Sequence, residues 1–169
     1  MTSSGSAVVT LPADKQILIT REFDAPRDLV WRAWTEPELI ERWWAGKRGK
    51  VTSVEVDLRV GGEYRYLMEA TEGFEVAFHG TYREIVPNER LVYTEVYEDP
   101  EGMWERDPDF YAVDTITFSE ADGRTTMTNL VEHTKKEHRD MHIESGMESG
   151  MQEALDALEQ VAISLSDES

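Results

Sequence analysis

The chain has 169 residues, 40% hydrophobic and 31% charged, with a formal net charge of −18 and no cysteine. Without cysteine there is no disulfide framework and no thiol chemistry, and a chain this acidic, with no long Lys/Arg cluster, is not expected to bind nucleic acid or anionic membrane surfaces. No apolar run approaches the ~18 residues of a membrane-spanning helix. Residues 1–7 lack the pattern of a secretory signal, so we expect no membrane insertion and a cytoplasmic location.

The beginning of the chain predicts strand structure and then two short helices. A short strand at 7–11 and a longer one at Gln16–Phe23 precede a helix at 26–34, for which Asp24 is placed as the N-cap. The sequence Thr35-Glu36-Pro37-Glu38 has the spacing of a capping box and begins a second short helix. Four of the five tryptophans lie in or beside these helices: Trp31, Trp34, Trp43 and Trp44. These rings form either the lid of a cavity or a densely packed part of the core.

In the rest of the chain, hydrophobic residues recur first with the period of strands and then with that of a helix. Apolar residues recur at three and four positions from about 137 to 165, which predicts one long C-terminal helix. The strands before it are expected at 52–58, 63–69, 75–86, Arg90–Tyr97, 111–119 and Arg124–His133.

An antiparallel sheet must bury one face, and the C-terminal helix is the long amphipathic element available to cover it. We therefore predict an α+β fold in which a curved antiparallel sheet of about seven strands grips that helix. The two short helices follow the first strand. A single domain is expected at 10–165, with flexible ends at 1–9 and 166–169.

Two glycines, each followed by a methionine, interrupt the C-terminal helical pattern. Gly146 and Gly150 would each cost ~1 kcal/mol relative to alanine inside a helix, so a reason for them is expected. A bend, a close approach to the sheet, or fraying of the helix start would explain them. They would also leave space above a cavity, with the flexible thioethers of Met147 and Met151 as its wall.

Several motifs in their order along the chain resemble those of one protein family. The chain is similar over residues 10–165 to the group homologous to the activator of the Hsp90 ATPase, within the START-like (Bet v 1-type) superfamily. The resemblance rests on Phe23-Asp24-Ala25-Pro26 with Trp34 and Trp43-Trp44, Gly61-Gly62-x-Tyr64-Arg65, Phe78-His79-Gly80-x-Tyr82-Arg83-Glu84, Pro87-x-x-Arg90-Leu91-Val92-Tyr93 and Gly146-Met147-x-x-Gly150-Met151.

This resemblance implies a helix-grip fold with a cavity between the sheet and the long helix. It leaves function open, because one fold serves many activities. Our leading hypothesis is a protein that binds or sequesters a small apolar or aromatic molecule. The alternatives are an interaction module for an Hsp90-type chaperone and a polyketide cyclase-like enzyme. Monomer and dimer both remain open.

Aromatic and methionine side chains are the candidates for the cavity wall, since apolar pockets with a few polar groups hold small ligands. His79 and tyrosine hydroxyls would orient the ligand, and Trp104 lies in a loop that could gate the opening. The predicted ligand-cavity residues are Trp34, Trp43, Trp44, Tyr64, Tyr66, Met68, Phe78, His79, Tyr82, Tyr93, Trp104, Phe110, Met147 and Met151.

Catalytic and metal-binding motifs are weak in this sequence. His138 and His142 are four residues apart and would share a helix face, but the HExxH pattern is missing and the segment is highly charged. The sequence has no GxSxG, P-loop or GxGxxG motif. We therefore predict no metal, no cofactor and no catalytic residue, and favour a binding protein over an enzyme.

Overall fold

The computed structural model describes residues 7–167. The strands are β1 (Val8–Thr10), β2 (Gln16–Phe23), β3 (Gly49–Val56), β4 (Glu63–Ala70), β5 (Glu75–Val86), β6 (Arg90–Tyr97), β7 (Ala112–Ala121) and β8 (Arg124–His133). The helices are α1 (Arg27–Thr35), α2 (Pro37–Ile40), α3 (Met103–Arg106), α4 (Lys136–Glu144) and α5 (Met147–Asp167).

The strands form one antiparallel sheet in the order β1-β2-β8-β7-β6-β5-β4-β3. The helix α5 packs along α1 and buries Leu155, Leu158 and Val161 in the core. The predicted α+β architecture, with two short helices after the first long strand and a long C-terminal helix against the sheet, is confirmed. The sheet has eight strands because β1, the short strand expected at 7–11, pairs with β2.

Both predicted helix caps are wrong. No side chain caps α1, and the Asp24 amide instead donates to Glu159 Oε2 at 2.8 Å. The Thr35 hydroxyl donates back to the Trp31 carbonyl inside α1, so it does not cap α2. Helix α2 is a single turn that ends at Ile40, and consecutive turns carry Trp43 and the residues after it.

The C-terminal helical segment expected at about 137–165 is divided into two helices, because the chain turns sharply between α4 and α5. Gly146 has φ +84°, a left-handed conformation that glycine adopts without steric cost and that ends α4. Gly150 lies against a flexible side chain: a Cβ there would lie 2.9 Å from the Arg48 guanidinium carbon. The two glycines therefore differ, because backbone conformation requires glycine at 146 whereas only a movable side chain is close to position 150.

The predicted flexible ends lie partly outside the described residues. Residues 1–6 and 168–169 are not described. Within the predicted flexible start, Val8–Thr10 is a strand, and Ser166 of the predicted tail lies in α5. Within residues 7–167, no helix combines the length and the apolar character that spanning a membrane requires.

Candidate functional site

A pocket of about 1100 Å³ lies between the inner face of the sheet and the C-terminal helices. Strands β4 to β8 supply its floor, and the segment after α2 together with α4 and the first turns of α5 supplies its cover. This volume is slightly above the range of about 300–1,000 Å³ that is typical of pockets for drug-sized molecules.

Strand pairing explains which side chains face the pocket. In the β4–β5 ladder, Tyr64 pairs with Gly80, Tyr66 with Phe78, and Met68 with Val76. Because successive side chains on a strand point to opposite faces, these alternate positions share one face of the sheet. The alternation of residues along the strand predicts that these side chains share a face, and the position of the helices decides that this face is the inner one.

Gly80 allows the strands to pack tightly around the Tyr64 ring. A Cβ at Gly80 would lie 1.8 Å from the Thr94 carbonyl oxygen and 2.8 Å from Tyr64 Cε1. The Tyr64 hydroxyl donates to that same Thr94 carbonyl at 2.7 Å. The ring of this buried tyrosine is therefore fixed in place, which makes the pocket floor rigid at this point.

An aromatic wall continues from the floor to the cover. The Trp44 ring centroid lies 5.4 Å from that of Tyr66 and 5.7 Å from that of Phe78, both edge-on. On the other side, Trp34 and Trp43 meet edge-on at 4.9 Å, and Trp43 Nε1 donates to the Ala33 carbonyl at 2.7 Å. The tryptophans thus belong both to the core and to the pocket wall.

The structure brings most of the predicted cavity residues together. Those that line the large pocket are Trp34, Trp43, Trp44, Tyr64, Tyr66, Met68, Phe78, Tyr93, Phe110, Met147 and Met151. Tyr82 does not line it: its ring packs behind the wall, 5.5 Å from Tyr64, and the side chain is 2% exposed.

His79 and Trp104 are corrections to the predicted cavity, because both lie at the outer face of the sheet. His79 precedes Gly80 and follows Phe78 on β5, so its side chain points away from theirs. Its Nδ1 lies 2.8 Å from Glu98 Oε2, and its ring is 5.2 Å from that of Trp104. Both residues line a separate, shallow outer pocket of about 440 Å³. His79 therefore cannot orient a molecule held in the large pocket.

Three polar side chains that the sequence analysis did not select face the interior of the large pocket. Asp114 on β7 is 2% exposed and Asn129 on β8 is 8% exposed, and Asn129 Nδ2 donates to Asp114 Oδ2 at 3.3 Å. Asp114 Oδ1 and Asn129 Oδ1 are buried and have no hydrogen-bond partner among the described residues. Glu95 on β6 is diagonal to Asp114, whose direct partner is Tyr93.

Both carboxyl groups have raised pKa values. Burial raises the pKa of Glu95 to about 7. Burial and the nearby Glu95 charge raise the pKa of Asp114 well above its ordinary value, against the opposing effect of the hydrogen bond from Asn129. Glu95 retains partial solvent accessibility and lines the pocket. Both groups therefore favour the neutral form more than ordinary carboxyl groups do.

A histidine pair borders the pocket beneath α4. His133 Nε2 and His142 Nδ1 are 3.1 Å apart. Burial lowers the pKa of each ring to about 4, aided at His133 by repulsion from His142, so both are neutral at neutral pH. His138 turns instead toward Phe110 and Asp107. Among residues 7–167, no three His, Asp or Glu side chains are arranged to hold a metal ion.

A signal in the sequence could have identified the missed polar residues. Asp114 alternates with Ala112, Ile116 and Phe118, a pattern that places one carboxyl group on an otherwise apolar strand face. Glu95, between Tyr93 and Tyr97, follows the same rule. A charged residue at an inward position of an apolar strand is seldom tolerated without a role, because its burial is costly.

Comparison with known proteins agrees with this architecture. A model of the family described as Activator of Hsp90 ATPase homolog 1-like protein matches residues 24–162. A structure from Rhodobacter sphaeroides is similar at 22% identity and a TM-score of 0.83, over 95% of this chain and 99% of that one. One from Nitrosomonas europaea has 26% identity and a TM-score of 0.79, over 93% and 99%. An AHSA1-like protein from Aeromonas hydrophila has 24% identity and a TM-score of 0.64, over 88% and 94%. Comparison with curated proteins gives no match.

Proposed function

We propose that this chain, which belongs to the Activator of Hsp90 ATPase homolog 1-like family, binds one small, largely apolar molecule in the large pocket. The observation that carries the proposal is the pocket of about 1100 Å³, whose wall is aromatic and methionine-rich but contains unpaired polar atoms. Such a combination is how small-molecule sites obtain both affinity and orientation.

Affinity would come from burial of apolar surface against the aromatic wall. A ligand that removes about 200 Å² of apolar surface from water gains about 5 kcal/mol before the costs of association. The rings that supply this surface are held by the contacts of Trp44 with Tyr66 and Phe78 and by the Tyr64 hydrogen bond. A wall that is already ordered loses little entropy when a ligand binds.

Orientation would come from Asp114, Asn129 and Trp34. Each has a buried polar atom without a partner within residues 7–167: Oδ1 of the two strand residues and Nε1 of the tryptophan. A buried polar group without a hydrogen bond costs about 1–3 kcal/mol, which a ligand with matching groups recovers. The preferred ligand is therefore apolar over most of its surface and polar at a few fixed points.

Native mass spectrometry of protein purified without denaturation, followed by a thermal-shift panel of lipids, flavonoids and aromatic polyketides, tests the proposal. A copurified adduct or a stabilisation that grows with ligand concentration is expected. A bare mass together with a flat panel would count against a ligand-binding role.

A matched pair of variants on β4 locates the site. Met68 faces the pocket, and its neighbour Leu67 points to the outer face. Met68→Trp should fill part of the pocket and weaken binding about tenfold or more, whereas Leu67→Trp should leave the affinity within about threefold. Equal effects of the two variants would place the ligand elsewhere.

The roles of chaperone interaction module and cyclase-like enzyme stay predictions, as does the oligomeric state. The chaperone role would require that the protein change the ATPase rate of an Hsp90-type chaperone. The enzyme role would require that Asp114→Asn or Glu95→Gln abolish turnover of a bound polyketide while its affinity is retained.

A further inference from the structure

The strand side of the large pocket is rich in hydrogen-bond acceptors, whereas Trp34 Nε1, a buried donor without a partner among the described residues, lies on α1. Asp114 Oδ1 and Asn129 Oδ1 have no hydrogen-bond partner among the described residues, and both side chains are more than nine-tenths buried. The Asn129 amide nitrogen has two N–H donors, and one of them already bonds Asp114 Oδ2. Glu95 adds a second carboxyl group from the neighbouring strand, on the same face of the sheet. A matching ligand group must therefore offer several donors at one point.

The charges around the pocket also favour a ligand group that is a hydrogen-bond donor and carries positive charge. Its basic lining residues, Lys47 and Arg48, are both exposed and so lie at the rim. Arg48 is further engaged by the Gly146 carbonyl and Ser149 hydroxyl on α5. The acidic lining residues are more numerous, and one of them, Asp114, is buried. They are Glu72, Glu95, Asp99, Glu101, Asp114 and Glu153. With a chain charge of −18, the field around this pocket concentrates cations and repels anions.

The aromatic wall is compatible with a positive charge. Tyr64 and Tyr93, the latter directly opposite Asp114 in the β6–β7 ladder, have ring centroids 5.4 Å apart. Faces of such rings attract ammonium groups within about 6 Å. The pocket thus offers a charged head group both acceptors and ring faces, and offers the rest of the molecule an apolar wall.

We propose that the ligand is a lipophilic primary amine, bound as its ammonium ion with the nitrogen between Asp114, Asn129 and Glu95. This inference rests on the proposed function, since it names the chemical class held by the same pocket. An ammonium group has three donors and no acceptor, which matches three acceptor side chains; an alcohol has one donor. A carboxylate would place a third acidic group beside two others, which costs free energy.

Binding of the ammonium should displace protons from the carboxyl groups. The groups that face Asp114 are Tyr64 from β4, Tyr93 and Glu95 from β6, and Asn129 from β8. Tyr66 from β4 interacts with Glu95, and the histidines of the lining are His133, His138 and His142. The tyrosines and the His133–His142 pair are neutral at pH 7, so the carboxyl pair holds the exchangeable protons there. A positive charge nearby favours their ionised form, and protons leave to the buffer.

Isothermal titration calorimetry with three probes of equal chain length tests the proposal: dodecylamine, dodecanol and dodecanoate, each below its aggregation concentration. At pH 7 the amine should bind at least about tenfold more tightly than the alcohol, because charge-assisted hydrogen bonds are the strong ones. The binding enthalpy of the amine should differ between phosphate and Tris, because the buffer takes up the released protons and the two buffers bind protons with different enthalpies. The difference gives the number of protons released.

Variants assign the effect to the carboxyl groups. Asp114→Asn and, as a second route in case that variant folds poorly, Glu95→Gln should each weaken amine binding about tenfold more than dodecanol binding, so that the preference for the amine is lost. Asp28→Asn, an exposed aspartate on α1, is the matched control and should change neither affinity.

Each outcome decides between the two proposals. Tighter binding of the amine that is lost in Asp114→Asn supports both. Binding of dodecanol or dodecanoate as tight as that of the amine overturns the amine inference and leaves the binding function intact. If none of the three probes binds, the amine inference is overturned, and the adduct and thermal-shift experiment judges the binding function separately.

Discussion

Arg21 on β2 is the buried cation that joins the sheet to the C-terminal helix, and its removal should destabilise the fold strongly. Its side chain is 1% exposed, and its guanidinium reaches Asp156 Oδ1 at 2.5 Å and Glu159 Oε1 at 3.0 Å, both on α5. The carbon of the same guanidinium lies 5.2 Å from the centroid of the Phe23 ring. We expect Arg21→Met to keep most of the aliphatic packing and to remove only the charge and its hydrogen bonds.

The expected magnitude follows from the burial of the two acidic partners. The side chain of Asp156 is 63% exposed, so water replaces the lost guanidinium there at little cost. That of Glu159 is 11% exposed, so its charge would stay buried beside the vacated position. Breaking a buried pair costs about 3–5 kcal/mol, and the bond that Glu159 accepts from the Asp24 amide favours the lower end, about 3 kcal/mol. This corresponds to a fall in Tm of about 6–12 °C.

Urea unfolding followed by circular dichroism and calorimetry measures the effect. Arg90→Met is the matched control, a strand arginine in an exposed pair with Glu84 whose loss should cost less than about 1 kcal/mol. The double variant Arg21→Met/Glu159→Gln should recover more than half of the loss, because no charge then lies buried beside the missing guanidinium. A loss in Arg21→Met no larger than that of the control would refute this reasoning.

The pH dependence and three glycines give further predictions. The pKa of Glu95 is raised from 4.5 to about 7, so the folded state holds this proton more tightly than the unfolded state. The free energy of unfolding should therefore fall as pH rises through that interval. The Glu95→Gln variant should be as stable as wild type at pH 4.5 and more stable by about 1–3 kcal/mol at pH 8. Gly150→Ala, whose Cβ would meet only a flexible guanidinium, should stabilise α5 by up to about 1 kcal/mol, whereas Gly146→Ala, at φ +84°, should destabilise by about 1 kcal/mol. Gly80→Ala, with its Cβ 1.8 Å from a carbonyl oxygen of the neighbouring strand, should cost more than about 3 kcal/mol. Urea unfolding of each variant, at several pH values for Glu95→Gln, measures all four free energies.

Each of these predictions has a result that contradicts it. A constant difference between Glu95→Gln and wild type at all pH values would show that Glu95 titrates normally. Equal effects of alanine at the two helix glycines would mean that backbone conformation does not distinguish them. A Gly80→Ala variant as stable as wild type would mean that the strands can separate at no cost.

Local patterns were enough to predict the eight strands and the two short helices after β2 in their order along the chain, but not α3 or the division of the C-terminal helical segment into α4 and α5. Alternation on β4 placed Tyr64, Tyr66 and Met68 on one face, and helical spacing of apolar residues located the C-terminal helix. Both signals depend on near neighbours in sequence, whose relative positions the strand and helix geometries fix. The predictions of the helix caps were wrong because the groups concerned form other hydrogen bonds, from the Thr35 hydroxyl to the Trp31 carbonyl and from the Asp24 amide to Glu159. Sequence spacing does not show which of these competing hydrogen bonds forms.

The sequence by itself determined the class of the fold, its family and most of the aromatic side chains that line the pocket. Only the tertiary structure decided which face of the sheet is covered, and with it that His79 and Trp104 lie outside while Asp114 and Asn129 lie inside. The physical reason is that alternation gives relative facing alone, whereas burial depends on which side α5 occupies. The raised pKa values of Glu95 and Asp114 follow from that burial and from pairing between β6 and β7. They arise from contacts between separate segments, which no single stretch of the chain contains.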